Sequence, residues 1–238
     1  ANAAHDFIVK VDVRNLAPGQ TVYFRFWAAG KTSPTGTTRT LPAGDVSEVS
    51  FAVMSCANYP AGYFHVYAEA AKEEKLDAVI HLGDYIYEYG AGGYATEDAE
   101  ALGRTLPADN SNELLTLADY RKRYALYRSD PDLQNLHAAA PFISVWDDHE
   151  VANDAWREGA ENHNADEGDY TARKLGALQA YFEWTPIRPV SEGNESVIYR
   201  SFNFGNLVSL HMMDTRIIGR DEQLSYANYL TGSGIDSA

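Results

Sequence analysis

The chain has 238 residues, of which 34 are acidic and 19 are basic, and its formal net charge is −15. This charge argues against a nucleic-acid partner held by simple charge attraction. The hydrophobic fraction of 45% is that of a globular protein, and no apolar run approaches the roughly 20 residues of a membrane-spanning helix. The acidic excess is concentrated in the middle third, because residues 84–170 contain 19 acidic and 6 basic side chains. The sequence therefore predicts one large folded domain, or one with a small module, and no transmembrane segment.

The first 45 residues are typical of short β-strands. Residues 7–13 and 21–28 alternate apolar and polar side chains, and residues 32–42 are rich in turn formers. So few strands cannot bury a two-sided core. The run NLAPGQTVYFRFWA resembles the end of a fibronectin-III-like β-sandwich. We therefore expect residues 1–45 to be the C-terminal part of an N-terminal β domain, and residues 46–238 to form a second domain.

From residue 49 onward, strand patterns alternate with helix patterns, which predicts an α/β fold with a parallel sheet. The predicted strands and helices are strand 49–56, helix 63–75, strand 78–84, helices 117–129 and 130–140, a strand from 141, helix 169–184, and strands 196–204 and 206–213. Asp130 is the expected N-cap of its helix, with Pro131 in the first turn. Residues 90–113 form a long exposed excursion, which is more typical of a functional loop than of a simple connection.

Potential metal ligands follow several of these strands. They are Cys56, then Asp84 with Tyr87, then the run Asp147, Asp148, His149 and Glu150, and finally Asp214. If these strands are neighbours, the clusters meet at one edge of the sheet. Converging carboxylates repel one another unless a cation compensates them. The mixed donors suit a transition metal such as iron or zinc beside an oxygen-preferring ion such as calcium or manganese.

Taken singly, the same residues also have structural interpretations. Cys56 fits a small buried apolar residue, Asp84 fits a helix N-cap, and Tyr87 fits a packing residue. His65 and His81 are predicted to be structural. The four consecutive ionisable residues at 147–150 could form a solvated loop, but their place directly after an apolar strand favours a site.

Four segments resemble the hallmark segments of PhoD-type alkaline phosphatases and phosphodiesterases, which belong to the metallophosphoesterase superfamily. They are SCANYPAGYFHVY (55–67), VIHLGDYIYEYG (79–90), ISVWDDHEVANDAW (143–156) and MMDTRIIGRDEQL (212–224). The Gly-Asp-x-x-Tyr motif also resembles that of purple acid phosphatases. The resemblance implies a metallophosphoesterase-like α/β sandwich, present only in part, which is preceded by part of the fibronectin-III-like β-sandwich.

The resemblance also implies a ligand set. Cys56 and Tyr87 would bind a ferric ion as thiolate and phenolate, and Asp84 would bridge to a second metal. Asp148 would bind that second metal, which is calcium in the PhoD branch, and Asp147 would share or orient this role. The implied cofactors are Fe(III) and Ca(II), with zinc and manganese as alternatives.

Two further residues are assigned to catalysis by the same resemblance. His149 would contact a phosphoryl oxygen or the leaving group, and Glu150 would fix the tautomer of His149. The Asp214-Thr215-Arg216 triplet matches the family without an assigned role. A metal-bound water would then hydrolyse a phosphate monoester, diester or phospholipid head group. Family members are exported, so we expect a periplasmic or extracellular location.

The sequence departs from the family pattern in lacking the later Gly-Asp-x-His segment, which supplies further ligands. We therefore expect the chain to be a fragment that catalyses poorly by itself. Two other functions stay open on the sequence alone. One is a non-catalytic calcium-binding or interaction module, and the other is a glycoside hydrolase that uses paired carboxylates.

Overall fold

The structure is a computed structural model that describes residues 1–191, 193–194 and 196–224, and the backbone of two short strands beyond them. The predicted alternation of strands and helices is confirmed from residue 51 onward. In chain order the strands and helices are β1 (Thr21–Phe24), β2 (Trp27–Ala28), β3 (Lys31–Thr32), β4 (Gly36–Arg39), β5 (Phe51–Met54), α1 (His65–Ala70), β6 (Ala78–His81), α2 (Leu117–Arg128), α3 (Pro131–Ala139), β7 (Phe142–Ser144), α4 (Tyr170–Trp184), β8 (Arg200–Phe204), β9 (Val208–Met212), β10 (Leu230–Thr231) and β11 (Gly234–Ile235).

A three-stranded parallel sheet lies at the centre of the fold. Its order is β5-β6-β7, and the register pairs Met54 with His81 and His81 with Ser144. All four residues of β6 are buried, as expected for a central strand covered on both faces. Because the strands are parallel, their carboxyl ends meet at one edge, and the loops that follow them share that edge.

Helix α2 packs a row of tyrosines into the core. Tyr120, Tyr124 and Tyr127 recur at helical spacing on one face and are fully buried. The helix begins at a capping box, in which the Thr116 side chain accepts from the backbone N–H of Asp119 and the Asp119 carboxylate accepts from the backbone N–H of Thr116. This helix contacts α4, while α1 contacts α3.

The start of α3 confirms the predicted cap. The Asp130 side chain accepts from the backbone N–H groups of Asp132 and Leu133, at 2.9 and 3.2 Å, and Pro131 occupies the first helical position.

Strands β8 and β9 correspond to the two predicted strands at 196–204 and 206–213. They pair with each other as an antiparallel hairpin and do not join the parallel sheet. The hairpin packs against that sheet at two places. The rings of Phe204 and Phe51 make an edge contact with centroids 4.9 Å apart. Arg200 donates to the backbone carbonyl of Ser144, at the end of β7. Asp214 follows β9 by two residues. Because the hairpin contacts the end of β7, Asp214 lies near that edge of the sheet.

The N-terminal part differs from the sequence-based expectation. Residues 7–13 form no strand in the described structure, and Val9, Val11 and Val13 are more than half exposed. An alternating pattern becomes a strand only where a neighbouring strand completes its hydrogen bonds, and this segment pairs with no strand in the described part of the chain. Strands β1 and β4 pair, as do β2 and β3, each pair forming a two-stranded antiparallel sheet.

No helix among the described residues is both long enough and apolar enough to cross a membrane.

Candidate metal centre

The loops after β6 and β7 approach each other closely at Gly83. A Cβ on this glycine would lie 2.1 Å from the backbone nitrogen of Asp147, and its φ of +109° is a conformation that favours glycine. The next residue, Asp84, also has positive φ, at +54°. Such backbone conformations are disfavoured for residues with a side chain, so the surrounding contacts must hold Asp84 in place.

The loop after β5 joins this junction through backbone hydrogen bonds. The N–H of Cys56 donates to the carbonyl of Gly83 at 3.2 Å, and the N–H of Ala57 donates to the carbonyl of Asp84 at 2.8 Å. Cys56 itself has positive φ, at +58°. Its Sγ lies 3.4 Å from Oδ2 of Asp84, and the Tyr87 hydroxyl donates to the same oxygen at 3.3 Å. A thiol, a carboxylate and a phenol therefore converge on one point.

Asp148 and His149 bring two more donors to the same point. Ligand atoms of Asp84, Asp148 and His149 lie within 4.8 Å of one another, and all three residues are buried. The backbone N–H of His149 also donates to Oδ1 of Asp84, at 3.4 Å. The parallel sheet thus brings together donors from loops that are distant in the sequence.

The electrostatics of this cluster fit a bound cation. Burial raises the pKa of Asp84, and the neighbouring Asp148 and Asp147 carboxylates raise it further despite the opposing effect of His149. Burial likewise raises the pKa of the Cys56 thiol and of the Tyr87 phenol. Ionised forms are therefore costly in the absence of a positive charge, and a cation would stabilise carboxylate, thiolate and phenolate together.

Glu88 is a residue of the candidate site that the sequence did not reveal. It is fully buried, and its Oε2 lies 2.8 Å from Nδ1 of His149. Its Oε1 accepts from the backbone N–H of Asn153 and the side-chain amide of Asn162, at 2.7 and 2.8 Å. An acidic residue directly after Tyr87, inside a buried aromatic run, was the available signal. Glu88 therefore fixes the orientation of the His149 ring.

The expected role of Glu150 in holding His149 is wrong. Glu150 is fully buried, but Oε1 accepts from the backbone N–H of Tyr85 at 2.7 Å and Oε2 from that of Asp147 at 2.9 Å. Burial, with repulsion from Asp84, raises the pKa of Glu150 to about 8 despite these backbone donors. Glu150 thus ties the loop after β6 to the loop after β7. Both carboxylate oxygens of Glu150 are used in these backbone contacts. The His149 ring is contacted by Glu88 instead.

Asp147 points toward an arginine. Nε of Arg216 lies 2.6 Å from Oδ1 of Asp147, and other guanidinium nitrogens lie 3.4 Å from Asp148 and 3.3 Å from Asp154. Asp214 arranges this contact, because its Oδ1 accepts from the backbone N–H groups of Arg216 and Ile217. Arg216 therefore offsets part of the negative charge of the loop after β7.

The two histidines predicted to be structural lie outside the cluster. His65 is exposed and lies 3.1 Å from Asp132. His81 is fully buried in β6, with Nε2 lying 3.3 Å from the Tyr67 hydroxyl and Nδ1 accepting from the N–H of Gly83.

A parallel sheet with a thiol, carboxylates, a phenol and an imidazole at its carboxyl edge defines an α/β protein with a candidate metal site. Comparison with known families makes this more specific. The family model described as "PhoD-like phosphatase" matches residues 51–235, and "PhoD-like phosphatase, N-terminal domain" matches residues 1–42. The chain belongs to the PhoD-like phosphatase family.

Two similar proteins support this placement. Alkaline phosphatase D of Bacillus subtilis (strain 168) is 43% identical over 219 residues, which are 90% of this chain and 36% of that protein. A solved structure of PhoD is 41% identical, with a TM-score of 0.76 over 87% of this chain and 39% of that chain. The chain thus spans little more than a third of the length of these relatives, and it has the fold of the matched part of PhoD.

Proposed function

We propose that the protein hydrolyses phosphate mono- or diesters at a metal centre held by Cys56, Asp84, Tyr87 and Asp148. The observation that carries this proposal is the convergence of Asp84, Asp148 and His149 within 4.8 Å, at the sheet edge of a chain in the PhoD-like phosphatase family. Because the chain spans only part of its relatives, the activity is proposed for the whole protein, and the segment alone is expected to be a poor catalyst.

The side chains of this segment have distinct roles in the proposed reaction. Bound metal ions would supply Lewis acidity and an acidified water for attack at phosphorus. Oδ2 of Asp84 contacts Cys56 Sγ and the Tyr87 hydroxyl. Ligand atoms of Asp84 and Asp148 also lie within 4.8 Å of each other, so Asp84 would suit a carboxylate shared by two metal ions. Arg216 forms an ion pair with Asp147, and its guanidinium also contacts the carboxylate of Asp148 and would help to hold it in position.

In this proposal His149 acts on the substrate. Its Nδ1 is held by Glu88, so Nε2 is the ring nitrogen left for a phosphoryl or leaving-group oxygen. Burial alone would lower the pKa of His149, but Glu88 and the nearby Asp84 and Asp148 raise it to about 9. In the proposed reaction the Nε2 side of the ring would donate a hydrogen bond to negative charge that develops on oxygen.

The donor chemistry supports iron and calcium as the proposed metals. Thiolate from Cys56 and phenolate from Tyr87 are strong donors that favour Fe(III), while carboxylate oxygens such as that of Asp148 suit Ca(II). Zinc and manganese are the alternatives. A ferric thiolate or phenolate absorbs visible light, so a coloured protein that contains iron and calcium would support this assignment, and a colourless protein that lacks iron would contradict it.

The remaining parts of the proposal concern organisation and location. Residues 1–45 would complete a fibronectin-III-like β domain, and residues 46–238 would form part of a metallophosphoesterase sandwich. The location would be periplasmic or extracellular, as the family resemblance implies. Family membership favours phosphoester hydrolysis over glycoside hydrolysis, and a glycosidase has no use for Cys56 and Tyr87 beside Asp84.

The function is tested by assaying the full-length protein with 4-nitrophenyl phosphate and bis(4-nitrophenyl) phosphate, after loading with iron and calcium. We expect turnover that a chelator removes and that D84N reduces by at least about a hundredfold, since Asp84 would hold the metal ions that the reaction requires. Asp166, an exposed carboxylate outside the cluster, provides the matched control D166N. Full activity in D84N, or activity that a chelator does not change, would refute the proposal.

A further inference from the structure

A short aromatic stack extends from the candidate metal centre to the surface. The ring of Tyr87 stacks on His149 with centroids 4.2 Å apart and planes 28° apart. On the same ring, Tyr94 stacks with centroids 6.1 Å apart and planes 19° apart. Tyr89 contacts both Tyr94 and His149, at centroid distances of 6.0 and 5.6 Å. Aromatic rings therefore form a continuous series of contacts from His149 through Tyr87 to Tyr94.

The outer end of this stack is open to solvent. Tyr94 is 61% exposed, whereas Tyr87 is only 6% exposed. Tyr94 belongs to the long excursion at 90–113, whose length is typical of a functional loop.

The turn that carries Tyr94 is held firmly. The Asn58 side-chain amide donates to the Tyr94 carbonyl at 3.1 Å, and the Tyr127 hydroxyl in the core donates to the amide oxygen of the same Asn58. A Cβ on Gly93 would lie 2.8 Å from Cβ of Tyr89, so the turn packs directly against that tyrosine. The Thr96 hydroxyl also donates to the Gly93 carbonyl, at 2.9 Å.

The backbone beneath the inner tyrosines is equally fixed. The buried guanidinium of Arg123 donates to the backbone carbonyls of both Tyr87 and Tyr89. The stack is therefore presented by backbone that is tied to α2, and little conformational freedom would be lost when a ligand binds to it.

We propose that Tyr94, together with Tyr89, forms an aromatic subsite that binds the alcohol portion of the phosphate ester, and that the preferred substrates are esters whose alcohol carries a flat aromatic or heteroaromatic ring. This inference rests on the proposed function. A phosphoryl group beside Asp84 and His149 lies next to Tyr87, and its ester oxygen directs the alcohol portion outward along the tyrosines. Stacking on Tyr94 requires a ring, so a short alkyl alcohol gains nothing from this contact.

The test uses the full-length protein loaded with iron and calcium, and two esters whose leaving groups are both primary alcohols, benzyl phosphate and ethyl phosphate. For Y94A we expect kcat/KM for benzyl phosphate to fall about five- to tenfold, the size of a typical ring-stacking contribution. We expect kcat/KM for ethyl phosphate to stay within about twofold of wild type. Y94F keeps the ring and should match wild type, as should Y23A, which removes an exposed tyrosine of β1.

Equal losses for both esters in Y94A, or no loss for benzyl phosphate, would overturn the subsite. A binding measurement separates this result from failure of the proposed function. If wild type hydrolyses neither ester, the dissociation constants of benzylphosphonate and ethylphosphonate decide. A preference for benzylphosphonate that Y94A abolishes supports the aromatic subsite even without turnover, whereas equal binding of the two phosphonates, or binding of neither, contradicts it.

Discussion

The carboxylate of Glu88 lies 2.8 Å from Nδ1 of His149, although 61 positions separate the two residues in the chain. Both residues are buried. Burial raises the pKa of Glu88, but its contacts with His149 and with Asn162 lower it overall. The two side chains therefore form an ion pair, in which the acid sets which ring nitrogen of His149 faces the site.

Replacing Glu88 with Gln should disturb this arrangement without opening a cavity. We expect kcat/KM of the full-length protein to fall by about 10- to 100-fold, because partners of this kind orient the residues at metal sites. We also expect the pKa of His149, followed by NMR of the imidazole in metal-free protein, to decrease. E161Q is the matched control, since Glu161 accepts from the Asn153 side chain but does not contact the ring. Unchanged kinetics and an unchanged His149 titration would show that Glu88 has no such role.

Gly83 should not tolerate a side chain. In G83A the new Cβ would meet the Asp147 backbone nitrogen at 2.1 Å, and the positive φ would add strain. We expect a loss of at least about 2 kcal/mol in the free energy of unfolding, together with weaker metal binding, because the loops carrying Asp84 and Asp148 would separate. Both quantities are accessible by urea denaturation and metal titration.

Gly103 provides the control for this substitution. Its φ is also positive, at +65°, but no atom lies within 4 Å of the place that an alanine methyl group would occupy. G103A should therefore cost only about 1 kcal/mol and leave metal binding unchanged. Similar effects of the two substitutions would contradict the close approach of the two loops.

His81 should make the fold sensitive to acid. Burial lowers its pKa from 6.5 to about 3, so the unfolded chain binds a proton on this residue at a higher pH than the folded chain does. Its contribution to stability is complete above pH 6.5 and is lost as the pH falls toward 3. Between pH 7 and pH 5 the loss is about 2 kcal/mol.

Urea denaturation of metal-free wild type and H81Q at these two pH values isolates this contribution, because other groups titrate in both proteins. We expect wild type to lose about 2 kcal/mol more than H81Q on acidification. Equal losses would mean that His81 is protonated as readily in the folded protein as in the unfolded chain.

Arg216 should act as an internal counter-charge for the acidic loop. It contacts Asp147, Asp148 and Asp154, and its side chain is only 16% exposed. In R216M these carboxylates lose their cation, so we expect metal-free protein to lose about 2 kcal/mol of stability. Added calcium should then raise Tm by more in R216M than in wild type.

R220M is the comparison for that experiment, since Arg220 donates to the neutral Gln223 side chain. It should behave like wild type in both measurements. A calcium response in R216M no larger than in wild type would show that Arg216 does not balance the charge of the loop.

The apolar runs at β5, β6 and β7 made the central sheet predictable, because a buried parallel strand needs a nearly continuous apolar sequence. Since parallel strands end at one edge, Cys56, Asp84 and Asp148 were expected to meet, and the structure brings them together. Residues 7–13 show the limit of this reasoning. Their alternation is a local pattern, whereas a strand also requires a partner.

The contacts around His149 could not be read from the sequence. The family resemblance implies that Glu150 fixes the His149 tautomer, but its carboxylate accepts from the backbone N–H groups of Tyr85 and Asp147 instead. Glu88 reaches the ring from another loop, and only the packing of the two strand ends reveals that contact. Residue type and spacing thus predicted which donors gather, while their pairing depended on tertiary structure.

Anomalous diffraction from crystals of the full-length protein, measured on both sides of the iron absorption edge, tests the proposed metal centre most directly. We predict an iron peak within bonding distance of the Asp84 carboxylate, Cys56 Sγ and the Tyr87 phenolate oxygen, with a second metal beside Asp148. A metal-loaded, active protein with no peak at Asp84, or with Cys56 and Tyr87 turned away from the peak, would contradict it.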